Sequence, residues 1–160
     1  NRNDVVPEYR REGEYRPRPS VATISNAMDV GAPSNFARME SIFGSEWERM
    51  RSRIAGFAYD DEMTRSTIRR IKAETGYTLE PHGAVGWMAA EAWRKDHPEA
   101  HTFVLDTAHP SKFLDVMEEE LGEGSIEIPE RLACLADREK VAIQLGTEES
   151  AFQDWLEGLD

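Results

Sequence analysis

Apolar residues after Ser34 recur mostly at three- and four-residue spacing, the period of a helix with one buried face. Phe36, Met39, Ile42 and Phe43 make the first such stripe, and Trp47, Met50 and Ile54 make a second beyond Gly44. A third helix is expected from Asp60 or Asp61, with Met63, Thr67, Ile68 and Ile71 inward and Gly76 at the left-handed closing position. A fourth opens at Glu80-Pro81-His82-Gly83, since proline suits a first helical turn. Its buried face reads Val85, Met88, Ala89, Ala92 and Trp93, and Pro98 ends it. Phe113, Leu114, Met117 and Leu121 share one face of a fifth. A short helix follows around Leu132, and Thr147 is expected to cap a last one carrying Ala151, Phe152, Trp155, Leu156 and Leu159. Near the start, Val5 to Arg11 can form a helical turn closed by Gly13, while Pro17 and Pro19 forbid a helix around Arg18.

Four shorter runs have strand character instead. They are Val21–Ile24, Gly56–Tyr59, Thr102–Leu105 and Val141–Leu145. Strands alternating with helices imply parallel pairing through helical crossovers, so the expected class is α/β, helix-rich with a few parallel strands. Residues 1–20 read as a connector or arm.

Composition narrows the function classes. Hydrophobic residues at 39%, with four Trp, six Phe and four Tyr, supply a core that a disordered acidic tail lacks. Nineteen basic against 31 acidic residues give net charge −12, which argues against nucleic-acid or anionic-lipid partners. Cys134 is the only cysteine, so the chain has no internal disulfide, and a cytoplasmic location is the default reading. The first methionine is Met28 and the first residue is Asn1, so a processed or truncated piece of something longer is expected.

Some familiar chemistry is missing. There is no glycine-rich nucleotide loop and no Gly-x-Ser-x-Gly elbow. His97 and His101 are four apart, but Pro98 interrupts any helix that would align them on a metal, so no metal site is expected. Glu118, Glu119 and Glu120 read as a solvated helix face. Two stretches remain. Residues 25–35 are dense in small and polar turn-formers, either a ligand-cradling loop or an ordinary surface loop. Asp106-Thr107-Ala108-His109-Pro110 lies at the carboxyl end of an expected strand, where ligands collect in open α/β sheets. The alternative there is that Thr107 or His109 caps the helix beginning at Pro110.

Four motifs in order then suggest a family. Thr23-Ile24-Ser25-Asn26-Ala27-Met28-Asp29-Val30-Gly31-Ala32-Pro33-Ser34-Asn35-Phe36 resembles a segment of the threonine synthases, and Asn1-Arg2-Asn3-Asp4-Val5-Val6-Pro7 is similar to that family's Asn-rich stretch upstream of it. Glu80-Pro81-His82-Gly83-Ala84-Val85-Gly86 resembles its Asp-Pro-His motif, with Glu for the usual Asp. Thr107-Ala108-His109-Pro110-Ser111-Lys112-Phe113 resembles its Thr-Ala-His-Pro-Ala-Lys-Phe motif. From Gly122 on the chain carries little of the likeness.

The resemblance implies part of a larger pyridoxal-phosphate enzyme of the tryptophan-synthase-β fold class, with residues 21–160 as the carboxy-terminal α/β part of its catalytic fold. It implies conversion of O-phospho-L-homoserine and water to L-threonine and phosphate. Thr107 matches the family's hydroxyl at the cofactor's pyridine nitrogen. Asn3, Asp4, Ser25, Asn26 and Asp29 match positions that could contact substrate. No catalytic residue is expected within the chain. The lysine that binds the cofactor and the loop gripping its phosphate are expected upstream of Asn1, in the remaining part of the same protein, so this chain alone is expected to be inactive. The rival readings are a related lyase acting on another phosphorylated amino acid and a non-catalytic binding or structural piece. The upstream sequence discriminates them, through the presence or absence of the cofactor lysine.

Overall fold

In a computed structural model, residues 1–159 are described and fall into two compact units, Asn1–Glu127 and the residues from Ile128 on. The first unit holds α1 (Val5–Glu12), α2 (Phe36–Phe43), α3 (Trp47–Arg51), α4 (Asp61–Thr75), α5 (Pro81–Arg94) and α6 (Leu114–Leu121), with 3₁₀ turns at Asn26–Met28 and Pro110–Phe113. The second holds α7 (Glu130–Ala133) and α8 (Glu149–Glu157).

The helices form where their periodicity and caps say they should. Asp60 caps α4, its carboxylate accepting from Met63 N at 2.9 Å, and Gly76 closes it at φ 77°. Ile68 and Ile71 of α4 meet Leu79, Ala84 of α5, Phe113, Met117 of α6 and Ile126 in one core. The inward face of α5 is turned toward its start relative to expectation: Pro81, Gly83, Ala84 and Met88 are buried, whereas Val85, Ala89, Ala92 and Trp93 are only half-buried. A second core joins Tyr9 of α1 to Phe36 and Met50, with the Tyr15 ring stacked on Phe36 at 3.9 Å.

Glu120 departs from the solvated face expected of it. Its side chain is 8% exposed and accepts from Arg65 at 2.6 Å and from Arg69, tying α6 to α4. Burial raises its carboxyl pKa, but the two guanidinium bonds outweigh burial and hold it below the usual carboxylate range. The last helix is preceded by Glu148 rather than Thr147, with no side-chain cap.

The expected strands are absent: among the described residues none of Val21–Ile24, Gly56–Tyr59, Thr102–Leu105 or Val141–Leu145 is a strand, so the fold of this chain is helical rather than α/β with a few parallel strands. The physical reason is pairing. A strand exists only against a neighbouring backbone, and no described segment offers one. At Val21 the side-chain amide of Asn3 takes that place, donating to Val21 O and accepting from Val21 N, each at 2.8 Å. Residues 102–106 lie along α5 instead. Gly83 and Gly86 permit the approach: a Cβ at Gly83 would sit 2.9 Å from Asp106 Oδ1, and one at Gly86 would sit 3.1 Å from Val104 Cγ1. Val104 thus faces α5, while Phe103 and Leu105 are 90% and 84% exposed. The two-residue alternation of a strand is present without its ladder. Within the second unit, Val141 and Ile143 are likewise exposed.

Candidate functional site

Of the residues expected to contact substrate, the structure gathers three. Asp29, just after the 3₁₀ turn, is the hub. Its carboxylate accepts from Asn3 Nδ2 at 3.1 Å, Asn1 Nδ2 at 3.0 Å, Thr23 N at 2.8 Å and Thr23 Oγ1 at 2.6 Å. Ser25, 2% exposed, accepts from Asn1 Nδ2 at 3.0 Å. Four donors on one carboxylate fix its position. Asn1 and Thr23 belong to this cluster although sequence reasoning gave them no role. Their signal was only proximity to Asn3 and Ser25 within the same motifs.

The other expected residues stand apart. Asp4 pairs with Arg18, which also binds Glu8. Asn26 is exposed at the start of its 3₁₀ turn. Thr107 is exposed on the irregular stretch before Pro110, and its hydroxyl has no hydrogen-bond partner among the described residues. The open alternative at that motif is settled in part: His109 is the cap, its Nδ1 accepting from Ser111 N at 3.2 Å.

Sequence reasoning noted the Glu80-Pro81-His82 motif but assigned it no chemistry. Glu80 is fully buried at the start of α5. Its Oε1 accepts from Gly83 N at 2.8 Å, and its Oε2 accepts from His82 N at 2.9 Å and His82 Nδ1 at 2.6 Å. Because a carboxylate with this donor set only accepts, the imidazole proton belongs on Nδ1. His82 Nε2 is buried and has no hydrogen-bond partner among the described residues. The ring rests against Phe113, centroids 5.2 Å apart.

These two groups face one cleft. Asn1, Asn3 and Ser25 line one side and His82, Val85 and Gly86 the other, around about 330 Å³. A larger cavity of about 440 Å³ lies between α5 and residues 102–106, with Trp87 and Val104 on its walls. Tyr77 closes an edge of it by donating to Asp106 Oδ2 at 2.8 Å, a bond that raises the phenol's pKa. No group of three or more His, Cys, Asp or Glu among the described residues is placed to hold a metal ion, and no helix there is long and apolar enough to cross a membrane.

Comparison with known proteins gives this geometry a family. Residues 83–155 match the family described as threonine synthase, C-terminal. The chain is 40% identical over 137 residues to threonine synthase of Escherichia coli K12, covering 86% of this chain and 31% of that protein. It is 35% identical over 161 residues to threonine synthase of Serratia marcescens, covering 99% and 36%. The crystal structure of the Escherichia coli threonine synthase superposes on all of this chain and 36% of its own, with TM-score 0.82 at 36% identity. The PLP-bound threonine synthase of Brucella melitensis gives TM-score 0.67 at 25% identity, over 98% of this chain and 38% of its own. The chain spans about a third of the length of the relatives it matches. On likeness of this extent in both sequence and backbone, the chain belongs to the threonine synthase family and corresponds to the carboxy-terminal part of its members.

Proposed function

We propose that the protein carrying this chain is a pyridoxal-phosphate-dependent lyase converting O-phospho-L-homoserine and water to L-threonine and phosphate. The observation that carries the reading is the superposition of the entire chain on a threonine synthase of known structure. A cytosolic location goes with this reading.

The chain's residues fit the cofactor at one end only. The Thr107 hydroxyl is unbonded and exposed, so it is free to donate to the pyridine nitrogen. A neutral hydroxyl cannot hold a full pyridinium charge as a carboxylate does, which suits elimination over transamination. Lys72 is committed to Gly76 O and Thr78 Oγ1, and no glycine-rich loop here suits the cofactor phosphate. The remaining part of the same protein supplies both the lysine and that loop in this reading. The bound cofactor supplies an electron sink for the carbanion next to the amino group. This chain supplies the ring-nitrogen donor and, toward substrate, a polar wall of Asn3 and Ser25 fixed from behind by Asp29. Asp4 and Asn26 flank that wall in sequence, but Arg18 draws Asp4 away from it.

The test is phosphate release from O-phospho-L-homoserine by three proteins. The full-length enzyme should turn over, and residues 1–160 alone should be silent, because neither lysine nor phosphate loop is present. Thr107→Val in the full-length enzyme should lower turnover about ten- to a hundredfold, the cost of a buried ring nitrogen left without its donor. Undiminished turnover by folded Thr107→Val, or activity from residues 1–160 with pyridoxal phosphate, would defeat these assignments.

A further inference from the structure

We infer that His82, held by Glu80, is a direct contact for the phosphate group of the substrate in the cleft beside Asn3 and Ser25. The inference rests on the function proposed above and goes beyond it by naming a residue and the ligand group it binds. The other donors around the cleft are already committed. Asn1 and Asn3 amides bond Asp29, and Asn1 also bonds Ser25. The helix start opposite them has no spare N–H either, since His82 N and Gly83 N bond the Glu80 side chain and Ala84 N bonds Glu80 O at 2.9 Å. That leaves His82 Nε2, buried and without a partner.

The ring is set up to use that nitrogen. Glu80 fixes the proton on Nδ1, so Nε2 carries the lone pair in the neutral ring and a second proton in the charged one. The fully buried Glu80 carboxylate balances the imidazolium from behind, and a phosphate oxygen balances it from the front. An orphaned buried nitrogen costs free energy until a ligand completes it, so binding gains the bond and relieves the orphan together. Nε2 is closed off from water, so the cleft wall must shift slightly to admit the ligand. Met28, unbranched, exposed and on the rim, is the side chain free to move.

The test uses the full-length enzyme with ¹⁵N-labelled histidine, His82 being assigned by its loss in His82→Gln. The unliganded enzyme should show the Nδ1–H tautomer at His82, and Glu80→Gln should abolish that preference. Titration with inorganic phosphate should move the Nε2 resonance saturably. His82→Gln should raise the KM for O-phospho-L-homoserine and the inhibition constant of phosphate together, each by about ten- to a hundredfold, as for a lost hydrogen bond to a charged group. A His82 resonance that ignores phosphate overturns the inference. So does an unchanged phosphate inhibition constant in folded His82→Gln. Failure of the wild-type enzyme to release phosphate from O-phospho-L-homoserine, with the Nε2 shift intact, instead sinks the function reading and leaves His82 as a phosphate site.

Discussion

Val21–Ile24 and Thr102–Leu105 begin from the same kind of apolar, β-branched signal and reach different ends. Neither is a strand, yet the first has its backbone engaged and the second does not. Val21 is bonded on both sides by the Asn3 amide, and Thr23 N is bonded by Asp29. Ala22 O accepts from Arg2 at 3.2 Å. Residues 102–106 have no backbone partner among the described residues, and their outward face is Phe103 and Leu105. The difference teaches that extended propensity reports a surface waiting for a partner rather than a strand. Side chains of this chain complete the first surface, and two residues beside it in the fold, Asn3 and Ser25, line a cleft. The second keeps an open edge of the kind that pairs with another strand.

Removing the hub of the closed region should have the largest effect. Asp29→Ala leaves Thr23 N without its acceptor and takes one acceptor each from the Thr23 hydroxyl and the Asn1 and Asn3 amides, in a loop where Thr23 is 9% exposed. A loss of about 1–3 kcal/mol is expected from stranding buried donors, read as a lower denaturation midpoint in urea at unchanged slope. A midpoint that does not move would mean that the cluster is no more closed than the bare segment.

The helices were legible in the sequence because period and caps are local: Asp60 and Gly76 announce α4 without reference to anything distant. The sheet was not, because pairing is a relation between segments and the pattern of one segment is silent about its neighbour. The site was half legible for a related reason. Asn3, Ser25 and Asp29 share motifs and meet in space, so sequence proximity was informative. Glu80 and His82 were visible only as a motif. That a buried carboxylate would cap its own helix and bind its neighbour's imidazole depends on backbone angles at Glu80, extended at φ −84° and ψ 169°, which composition does not reveal. Glu120 misled because three adjacent acids look solvated, while Arg65 and Arg69 lie more than fifty residues away.

A smaller change separates the amide of Asn3 from the carboxylate it serves. Asn3→Ala removes the two bonds that imitate a neighbouring strand at Val21, both at an exposed position, together with one of the donors to Asp29. About 0.5–1.5 kcal/mol should be lost. The Val21 amide should lose protection in hydrogen exchange while amides of α4 keep theirs. Uniform loss across both would show that residues 21–24 are held by the fold as a whole and not by this side chain.

The smallest effect is expected at the open segment. Phe103 is 90% exposed, so Phe103→Ser removes almost no buried surface from this chain, and stability should stay within about 0.5 kcal/mol. Its neighbour Val104, which meets Gly86, is left in place, so the lie of the segment along α5 should persist. In the full-length enzyme the outcome should reverse. If residues 102–105 pair with a strand from the rest of the protein, Phe103 becomes part of a core, and replacing it should cost about 3–5 kcal/mol, as large-to-small changes in packed aromatic sites do. Amides of residues 102–106 should exchange freely in residues 1–160 and be protected in the whole enzyme. A Phe103→Ser loss above about 1 kcal/mol in residues 1–160 would mean that the segment is already packed there. Freely exchanging amides in the full-length enzyme would mean that the edge stays open, and the strand pattern at 102–105 would then have no partner to explain it.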